Sequence, residues 1–116
     1  GEACTCPVSA TGTIWAQSVA RCADNFVHAL SLDTALLPPT RAVTLPAQRI
    51  VMGDLAAEVA RQCGVSADLV SYAPDVALEA AFAANPPLLT PAAEHAGFAH
   101  DGDLATLVAS ALATLQ

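Results

Sequence analysis

The sequence contains no lysine, and its four arginines are outnumbered by eleven aspartates and glutamates, which gives a formal net charge of −7. A chain this acidic repels phosphate backbones and anionic lipid surfaces, so neither nucleic acid nor a membrane is an expected partner. The lack of lysine also excludes a Tyr-x-x-x-Lys pair, in which an ammonium group lowers the pKa of a phenol for proton transfer. Tyr72, the single tyrosine, is therefore not assigned a catalytic role.

Glycine is scarce as well, and the six glycines are scattered instead of forming a Gly-x-Gly-x-x-Gly loop. That loop is what allows a backbone to approach the pyrophosphate of a dinucleotide. The Gly-x-Ser-x-Gly turn that exposes a serine nucleophile is also missing. The sequence thus predicts no catalytic residue and no cofactor-binding residue within this chain.

Four cysteines and three histidines are present, but their spacing fits no paired Cys-x-x-Cys zinc pattern. Cys4 and Cys6 are too close in sequence to form a disulfide with each other easily. Cys22 and Cys63 occupy apolar helical positions that are typical of small core residues. We therefore expect reduced thiols, no bound metal and a cytoplasmic location.

Targeting and membrane segments are not evident in the sequence. The first residues include neither the basic region nor the apolar region of a signal peptide. The most apolar stretch, from Leu104 to Leu115, is much shorter than the roughly 20 residues of a membrane span. Because the first residue is Gly1, we interpret the chain as an excised piece of a longer protein.

Hydrophobic residues make up 54% of the sequence, enough for one modest core in a single domain or part of one. Aromatic residues contribute only 4%, which favours packing between thin helices. The predicted fold class is mixed α/β and helix-rich, with four or five helices and a few short strands. Periodicity, caps and prolines place the helices at residues 18–31, 53–64, 75–85, 90–97 and 104–115, and the strands at residues 12–16, 41–45, 49–52 and 69–72.

The first of these helices has a strong apolar periodicity, which predicts its buried face. The apolar stripe consists of Val19, Cys22, Ala23, Phe26, Val27 and Leu30, and the other face carries Arg21, Asp24 and Asn25. Acidic residues near the starts of later helices, such as Glu79 and Asp103, are expected on solvated faces or as caps. They are not interpreted as acid/base groups or cation ligands.

The order of these elements is similar to that near the carboxy terminus of extended short-chain dehydrogenases/reductases, the NAD-dependent epimerase/dehydratase family. The resemblance is greatest to the D-erythronate dehydrogenase branch and extends over almost all 116 residues. Its motifs are a strand ending in Trp15 followed by a serine-capped helix, and the runs DNFVHA at residues 24–29, RAVTLP at residues 41–46, VSYAPD at residues 70–75 and TPAAEHAGF at residues 90–98.

The resemblance implies that residues 1–116 are the carboxy-terminal, substrate-binding portion of an NAD(P)-dependent sugar or sugar-acid epimerase or dehydrogenase. A Rossmann domain preceding Gly1 would hold NAD(P) and the Tyr/Lys pair, and this chain would be inactive without it. The implied partners are that Rossmann domain and a small sugar acid or sugar nucleotide. An apolar patch left exposed without that domain would favour a homo-oligomer. The competing hypothesis is an independent, non-catalytic binding or scaffold module.

The candidate substrate-binding residues are Trp15, Gln17 and Ser18, at the turn from the first predicted strand into the first predicted helix. Ligands of α/β folds bind at the carboxyl ends of strands, and free N–H groups at a helix start favour an anionic or hydroxylated ligand. The alternative is purely structural: Trp15 anchors the core and Ser18 caps the helix.

We predict that this chain does not bind NADH, because it lacks the glycine loop and the Tyr/Lys pair. A titration that follows fluorescence transfer from Trp15 to NADH should give no saturable signal at micromolar concentrations. Saturable transfer in that range would contradict the prediction.

Overall fold

The computed structural model describes residues 1–115, which form two compact units. The first unit comprises residues 1–16 and 49–87, and the second comprises residues 17–48 and those from Leu88 onward. The mixed α/β class predicted from the sequence is confirmed. The elements are β1 (Cys4–Cys6), β2 (Thr13–Ala16), α1 (Val19–Leu30), β3 (Gln48–Val51), α2 (Met52–Cys63), β4 (Val70–Tyr72), α3 (Val76–Phe82), α4 (Pro91–His95) and α5 (Leu104–Thr114).

Two strand pairs organise the first unit. β1 runs parallel to β4, with Cys4 opposite Val70 and Cys6 opposite Tyr72, and β2 pairs with β3. The sequence analysis missed β1, because three residues give too short an alternation to predict a strand. β3 ends at Val51 and Met52 already belongs to α2, so the strand predicted at residues 49–52 is one residue too long at its carboxyl end.

Helix ends follow their local sequence at most positions. The side chains of Ser18, Asp75 and Asp103 accept hydrogen bonds from backbone N–H groups in the first turns of α1, α3 and α5. Gly64 ends α2 in the left-handed conformation, with a φ of 67°, which costs glycine no steric penalty. Thr90 is an exception, because its side chain makes no capping hydrogen bond to α4.

The core of the second unit is built from small side chains around one ring. Ala93, Ala96 and Phe98 are buried, and Leu32, Leu37, Val43 and Leu45 pack against them. Leu107 and Val108 of α5 are also buried, and α5 packs against α1. Alanine allows the backbones to approach closely but contributes little buried area, so this core is thin.

The buried face of α1 is the opposite of the one that its apolar periodicity predicts. Asn25, expected on the outer face, is only 4% exposed, while Phe26 is 67% and Leu30 is 88% exposed. Val19 and Val27 are exposed as well. Asn25 is buried because its amide bonds to the backbone of the same unit, as described below. The apolar stripe of α1 is therefore largely exposed instead of buried.

The strand predicted at residues 41–45 is not formed, because no neighbouring backbone pairs with it within residues 1–115. Arg41, with a φ of 55°, ends a turn in which its N–H donates to the carbonyl oxygen of Pro38 at 2.8 Å. The following residues lie over the core without regular secondary structure.

Two further expectations from the sequence concern thiols and membranes. All four cysteines are free thiols, but Cys63 is exposed and Cys22 is only half-buried, so the core placement predicted for Cys63 is wrong. No helix within residues 1–115 is long and apolar enough to cross a bilayer.

Glu79, expected on a solvated face of α3, instead tethers the loop that follows β1. Its Oε1 accepts a hydrogen bond from the backbone N–H of Ser9 at 2.8 Å. This hydrogen bonding from Ser9 lowers the pKa of the Glu79 carboxyl below its ordinary value of 4.5. A carboxylate whose pKa falls on folding stabilises the fold above the unfolded-state pKa, and that contribution is lost as the pH falls through the folded-state pKa.

Replacing Glu79 with glutamine should therefore lower the melting temperature at pH 7, where wild-type Glu79 is ionised and the variant offers only a neutral acceptor. The difference from wild type should shrink as the pH falls below 4.5, because the wild-type carboxylate then becomes protonated. Circular-dichroism melts across this pH range test the expectation, with Glu2→Gln as an exposed control. A gap that stays constant at all pH values would show that the charge of Glu79 does not matter.

Candidate functional site

Trp15 lies near the carboxyl end of β2 in the first unit, where its indole is fixed by the segment after α3. Its Nε1 donates to the carbonyl oxygen of Pro86 at 2.7 Å. Two other side chains hold the same segment: Thr13 Oγ1 and Arg49 Nε donate to the carbonyl oxygen of Asn85 at 2.9 and 2.8 Å. Trp15 remains 41% exposed, so its indole N–H is committed while part of its ring is open to solvent.

Ser18, in the second unit, is 4% exposed, and its hydroxyl both accepts and donates a hydrogen bond. The oxygen accepts from the backbone N–H of Arg21 at 3.1 Å, which caps α1, and the hydroxyl donates to Oδ1 of Asp101. The backbone N–H of Ser18 donates to the other carboxylate oxygen of Asp101 at 2.8 Å. Asp101 is itself buried. Ser18 is thus the N-cap that the structural alternative expects, and its hydroxyl proton is already donated.

Gln17 contacts the buried amide of Asn25 through its oxygen only. Asn25 Nδ2 donates to Gln17 Oε1 at 3.2 Å and to the carbonyl oxygen of Ala99 at 2.9 Å, while Asn25 Oδ1 accepts from the N–H of Ala99 at 3.2 Å. Within residues 1–115, Gln17 Nε2 donates to no partner. Gln17 is half-buried, so this amide is oriented by Asn25 and keeps two N–H donors for a ligand.

One turn further along α1, His28 continues the same polar face. His28 Nε2 bonds to the carbonyl oxygen of Ala96 at 2.7 Å, and the imidazole meets the ring of Phe98 edge-on at 5.0 Å. We call the contacts of Ser18 with Asp101, Asn25 with Ala99 and His28 with Ala96 the polar ladder of α1. Sequence analysis missed Asn25 and Asp101; the signal it could have used is that Ser18, Asn25 and His28 recur at helical spacing.

The three candidate substrate-binding residues predicted from the sequence differ in the unit to which they belong and in the groups that they leave free for a ligand. Trp15 belongs to the first unit, and Gln17 and Ser18 belong to the second. The ring of Trp15 is partly exposed, and the side-chain N–H groups of Gln17 have no partner within residues 1–115. The hydroxyl of Ser18 is fully used in capping α1 and bonding Asp101. A hydroxyl or carboxylate oxygen is the chemical group that Gln17 Nε2 can bind.

Concave surfaces are present in both units. In the first unit an apolar groove of about 470 Å³ lies between α2 and the β1–β4 pair, and Cys4, Cys6 and Tyr72 are among the residues that line it. In the second unit a cavity of about 440 Å³ lies between α1 and residues 41–45. Nowhere in residues 1–115 do three histidine, cysteine or acidic side chains cluster closely enough to hold a metal ion.

No family model matches the sequence, and no curated protein matches it. Several solved structures nevertheless share its fold. A nucleoside-diphosphate-sugar epimerase from Agrobacterium tumefaciens has a TM-score of 0.79 and 17% identity, over 93% of this chain and 32% of its own. The holo form of a GalE-like L-threonine dehydrogenase from Cupriavidus necator has a TM-score of 0.80 and 18% identity, over 100% of this chain and 37% of its own.

An L-threonine dehydrogenase from Phytophthora infestans is similar in the same way, with a TM-score of 0.77 and 17% identity, over 97% of this chain and 36% of its own. Residues 1–115 therefore have the fold of one portion of epimerase- and dehydrogenase-type enzymes. The chain spans well under half the length of each of these structures.

The polar ladder leads to a prediction about stability. Asn25→Ala removes three hydrogen bonds and leaves the backbone of Ala99 and the side-chain oxygen of Gln17 without their partner, so it should destabilise the protein by about 1–3 kcal/mol. Asp24→Ala, at the exposed neighbouring position, should change stability little. Urea denaturation measures both values. Equal effects of the two substitutions would show that the Asn25 amide does not stabilise this unit.

Proposed function

We propose that this chain is the substrate-binding portion of an NAD(P)-dependent sugar or sugar-acid epimerase or dehydrogenase, inactive without its Rossmann domain. The observation that carries the proposal is the fold match: 93% or more of the chain superposes on roughly a third of an epimerase and of threonine dehydrogenases. Sequence motifs similar to those of the D-erythronate dehydrogenase branch support a small sugar acid as substrate. A sugar nucleotide is the related possibility.

The composition of this chain indicates which steps we assign to it and which to the Rossmann domain. It has no lysine and no glycine-rich loop, so the residues present do not fit a nicotinamide dinucleotide. NAD(P) would supply hydride transfer to or from a carbon that bears a hydroxyl, and the Rossmann domain would hold it. The part left to this chain is to bind and orient the substrate. The free thiols are compatible with the cytoplasmic location that we propose for the enzyme.

The exposed apolar stripe of α1 supports the proposal that a further domain packs here. Val19, Phe26, Val27 and Leu30 are 65% to 88% exposed on one helix, and soluble proteins rarely leave such a surface uncovered. We propose that the Rossmann domain of the same enzyme covers it. In its absence the stripe would favour association of the isolated chains.

Substrate binding is assigned to the turn that holds Trp15, Gln17 and Ser18. Gln17 Nε2 would donate to a hydroxyl or carboxylate oxygen of the sugar acid, since its Oε1 is already held by Asn25. Trp15, in the first unit, remains a candidate substrate-binding residue through the exposed part of its ring. Ser18 would act indirectly, by fixing the start of α1 through Asp101.

The alternative function is an independent, non-catalytic binding or scaffold module. The observation that favours it is the apolar groove of about 470 Å³ in the first unit, which is large enough for a small apolar ligand or a partner side chain. A reading frame that continues upstream of Gly1 into a glycine-rich dinucleotide loop would decide for the enzyme.

In the full-length protein, Gln17→Ala should lower kcat/KM for the preferred sugar acid by roughly tenfold, the effect of losing about one good hydrogen bond. The melting temperature should change little, because Gln17 is only half-buried. Gln62→Ala, which removes a comparable hydrogen bond to Glu58 on α2, should leave kcat/KM unchanged. NAD(P)-linked absorbance assays across a panel of sugar acids measure these values.

Two results would count against these assignments. An unchanged kcat/KM for Gln17→Ala on every oxidised sugar acid would leave the turn as scaffolding. A full-length protein without NAD(P)-dependent activity on sugar acids or sugar nucleotides would instead remove the proposed function itself.

A further inference from the structure

We propose that Arg21 and Gln17 together bind the carboxylate of a sugar acid, and that Asn25 fixes Gln17 in the orientation that this contact requires. The inference rests on the proposed function, because it adds two residues to the substrate-binding turn and selects an acid over a neutral sugar. All of the groups involved belong to the second unit.

The backbone of Ala99 fixes the orientation of the buried Asn25 amide. The N–H of Ala99 donates to Asn25 Oδ1 at 3.2 Å, and the carbonyl oxygen of Ala99 accepts from Asn25 Nδ2 at 2.9 Å. An amide turned the other way would set donor against donor and acceptor against acceptor. The remaining N–H of Asn25 Nδ2 therefore points to Gln17, whose Oε1 accepts it at 3.2 Å.

The contact with Asn25 decides which end of the Gln17 amide is left for a ligand. Gln17 Oε1 is used, and Gln17 Nε2 has no partner within residues 1–115. In the same residues the completely buried side-chain atom without a hydrogen bond is Gln48 Nε2, so the half-buried Gln17 keeps its Nε2 accessible.

A fixed amide orientation discriminates between ligand groups. A hydroxyl both donates and accepts, so it would match either end of the Gln17 side chain. A carboxylate only accepts, so it requires that Nε2 and not Oε1 face it. The carboxylate is therefore the group of a sugar acid whose binding depends on the hydrogen bonds that orient Gln17.

Arg21 lies on the same face of α1 as this amide. Residues three and four apart share one face of a helix, so Arg21 occupies the surface between Ser18 and Asn25. The Gln17 side chain spans the same interval, because it extends from the start of α1 to Asn25. Arg21 is half-buried at this position.

The guanidinium of Arg21 is unpaired. Within residues 1–115 it makes no hydrogen bond and no ion pair, although the sequence has eleven acidic residues and only four arginines. Asp24, the acid nearest to it in sequence, is exposed and does not pair with it. The side chains of Arg49 and Arg61 are hydrogen-bonded, and Arg41 is exposed to water. A half-buried cation without a partner in so acidic a chain indicates a binding site for an anion.

The anion that fits this face best is a carboxylate. A guanidinium binds the two oxygens of a carboxylate through parallel N–H groups, and an amide N–H adds a further donor. The diphosphate of a sugar nucleotide offers the same kind of anionic oxygen but carries two negative charges. Arg21 supplies a single positive charge, which matches the single charge of a sugar acid.

Isothermal titration of the full-length protein tests the carboxylate site, with D-erythronate and longer aldonates as probes and the polyol of the same carbon skeleton as the neutral counterpart. Arg21→Gln should weaken aldonate binding by roughly tenfold or more and leave polyol binding unchanged. Arg21→Lys, which keeps the charge, should lose less. Arg61→Gln removes the same charge from α2 and should leave both affinities unchanged.

Two further variants test the orientation of Gln17. Gln17→Glu keeps an acceptor for Asn25 but puts an oxygen where Nε2 was, so it should weaken aldonate binding more than Gln17→Ala does. Asn25→Asp no longer donates to Gln17, whose amide should then turn and face the ligand with its oxygen. This substitution should weaken aldonate binding when Gln17 is present and change it little in a Gln17→Ala background. Equal weakening in both backgrounds would show that Asn25 does not act through Gln17.

The outcomes separate the inference from the proposed function. Unchanged aldonate affinity in Arg21→Gln, equal weakening for the polyol, or a wild-type protein that binds no aldonate would overturn the carboxylate site. Weakening that appears with UDP-glucose instead would overturn it in favour of a phosphate site. NAD(P)-dependent activity in those cases would leave the function standing. Aldonate binding that depends on Arg21, in a full-length protein without such activity, would retain the site and remove the function.

Discussion

The polar ladder of α1 is the interaction on which the second unit depends. Ser18, Asn25 and His28 bond to Asp101, Ala99 and Ala96, so one helix holds the whole segment between α4 and α5 through hydrogen bonds. Buried polar groups are costly unless they are bonded. Once Asn25 and Asp101 are buried with their partners, α1 cannot rotate without leaving them unsatisfied.

That constraint explains the orientation of the apolar residues. If hydrophobic burial alone placed α1, Phe26 and Leu30 would be inside and Asn25 outside. The ladder fixes the opposite arrangement, and it leaves an apolar surface next to an extended segment with unused backbone groups. An exposed apolar stripe beside a thin core marks an interaction surface, which supports the proposed packing of a further domain against this unit.

The same ladder reaches the candidate substrate-binding residues. Gln17 is held by Asn25, which Ala99 fixes in turn, and Ser18 is held by Asp101, so the geometry of these two residues depends on partners more than 70 residues away. The side-chain amide of Gln17 is oriented through its oxygen, and its nitrogen makes no hydrogen bond within residues 1–115. Preorganised donors of this kind bind a ligand at a lower entropic cost than free side chains, which supports Gln17 over Ser18 as the residue that contacts substrate.

The sequence alone determined the features that depend on neighbouring residues. The α/β class, the order of the helices, the caps at Ser18, Asp75 and Asp103, and the left-handed Gly64 could all be predicted, because caps and turns are local interactions. The choice of Trp15, Gln17 and Ser18 came from the same local reasoning at a strand-to-helix turn. It did not distinguish the committed hydroxyl of Ser18 from the available amide of Gln17.

Only the tertiary structure decided the features that depend on distant partners. β1 exists because β4 lies beside it, whereas residues 41–45 have the sequence of a strand but pair with no strand within residues 1–115. Periodicity shows that α1 has two different faces, but the buried one is chosen by Ala99 and Asp101, more than 70 residues away. Strand pairing and the burial of a polar side chain are settled by groups remote in sequence, and no local pattern contains them.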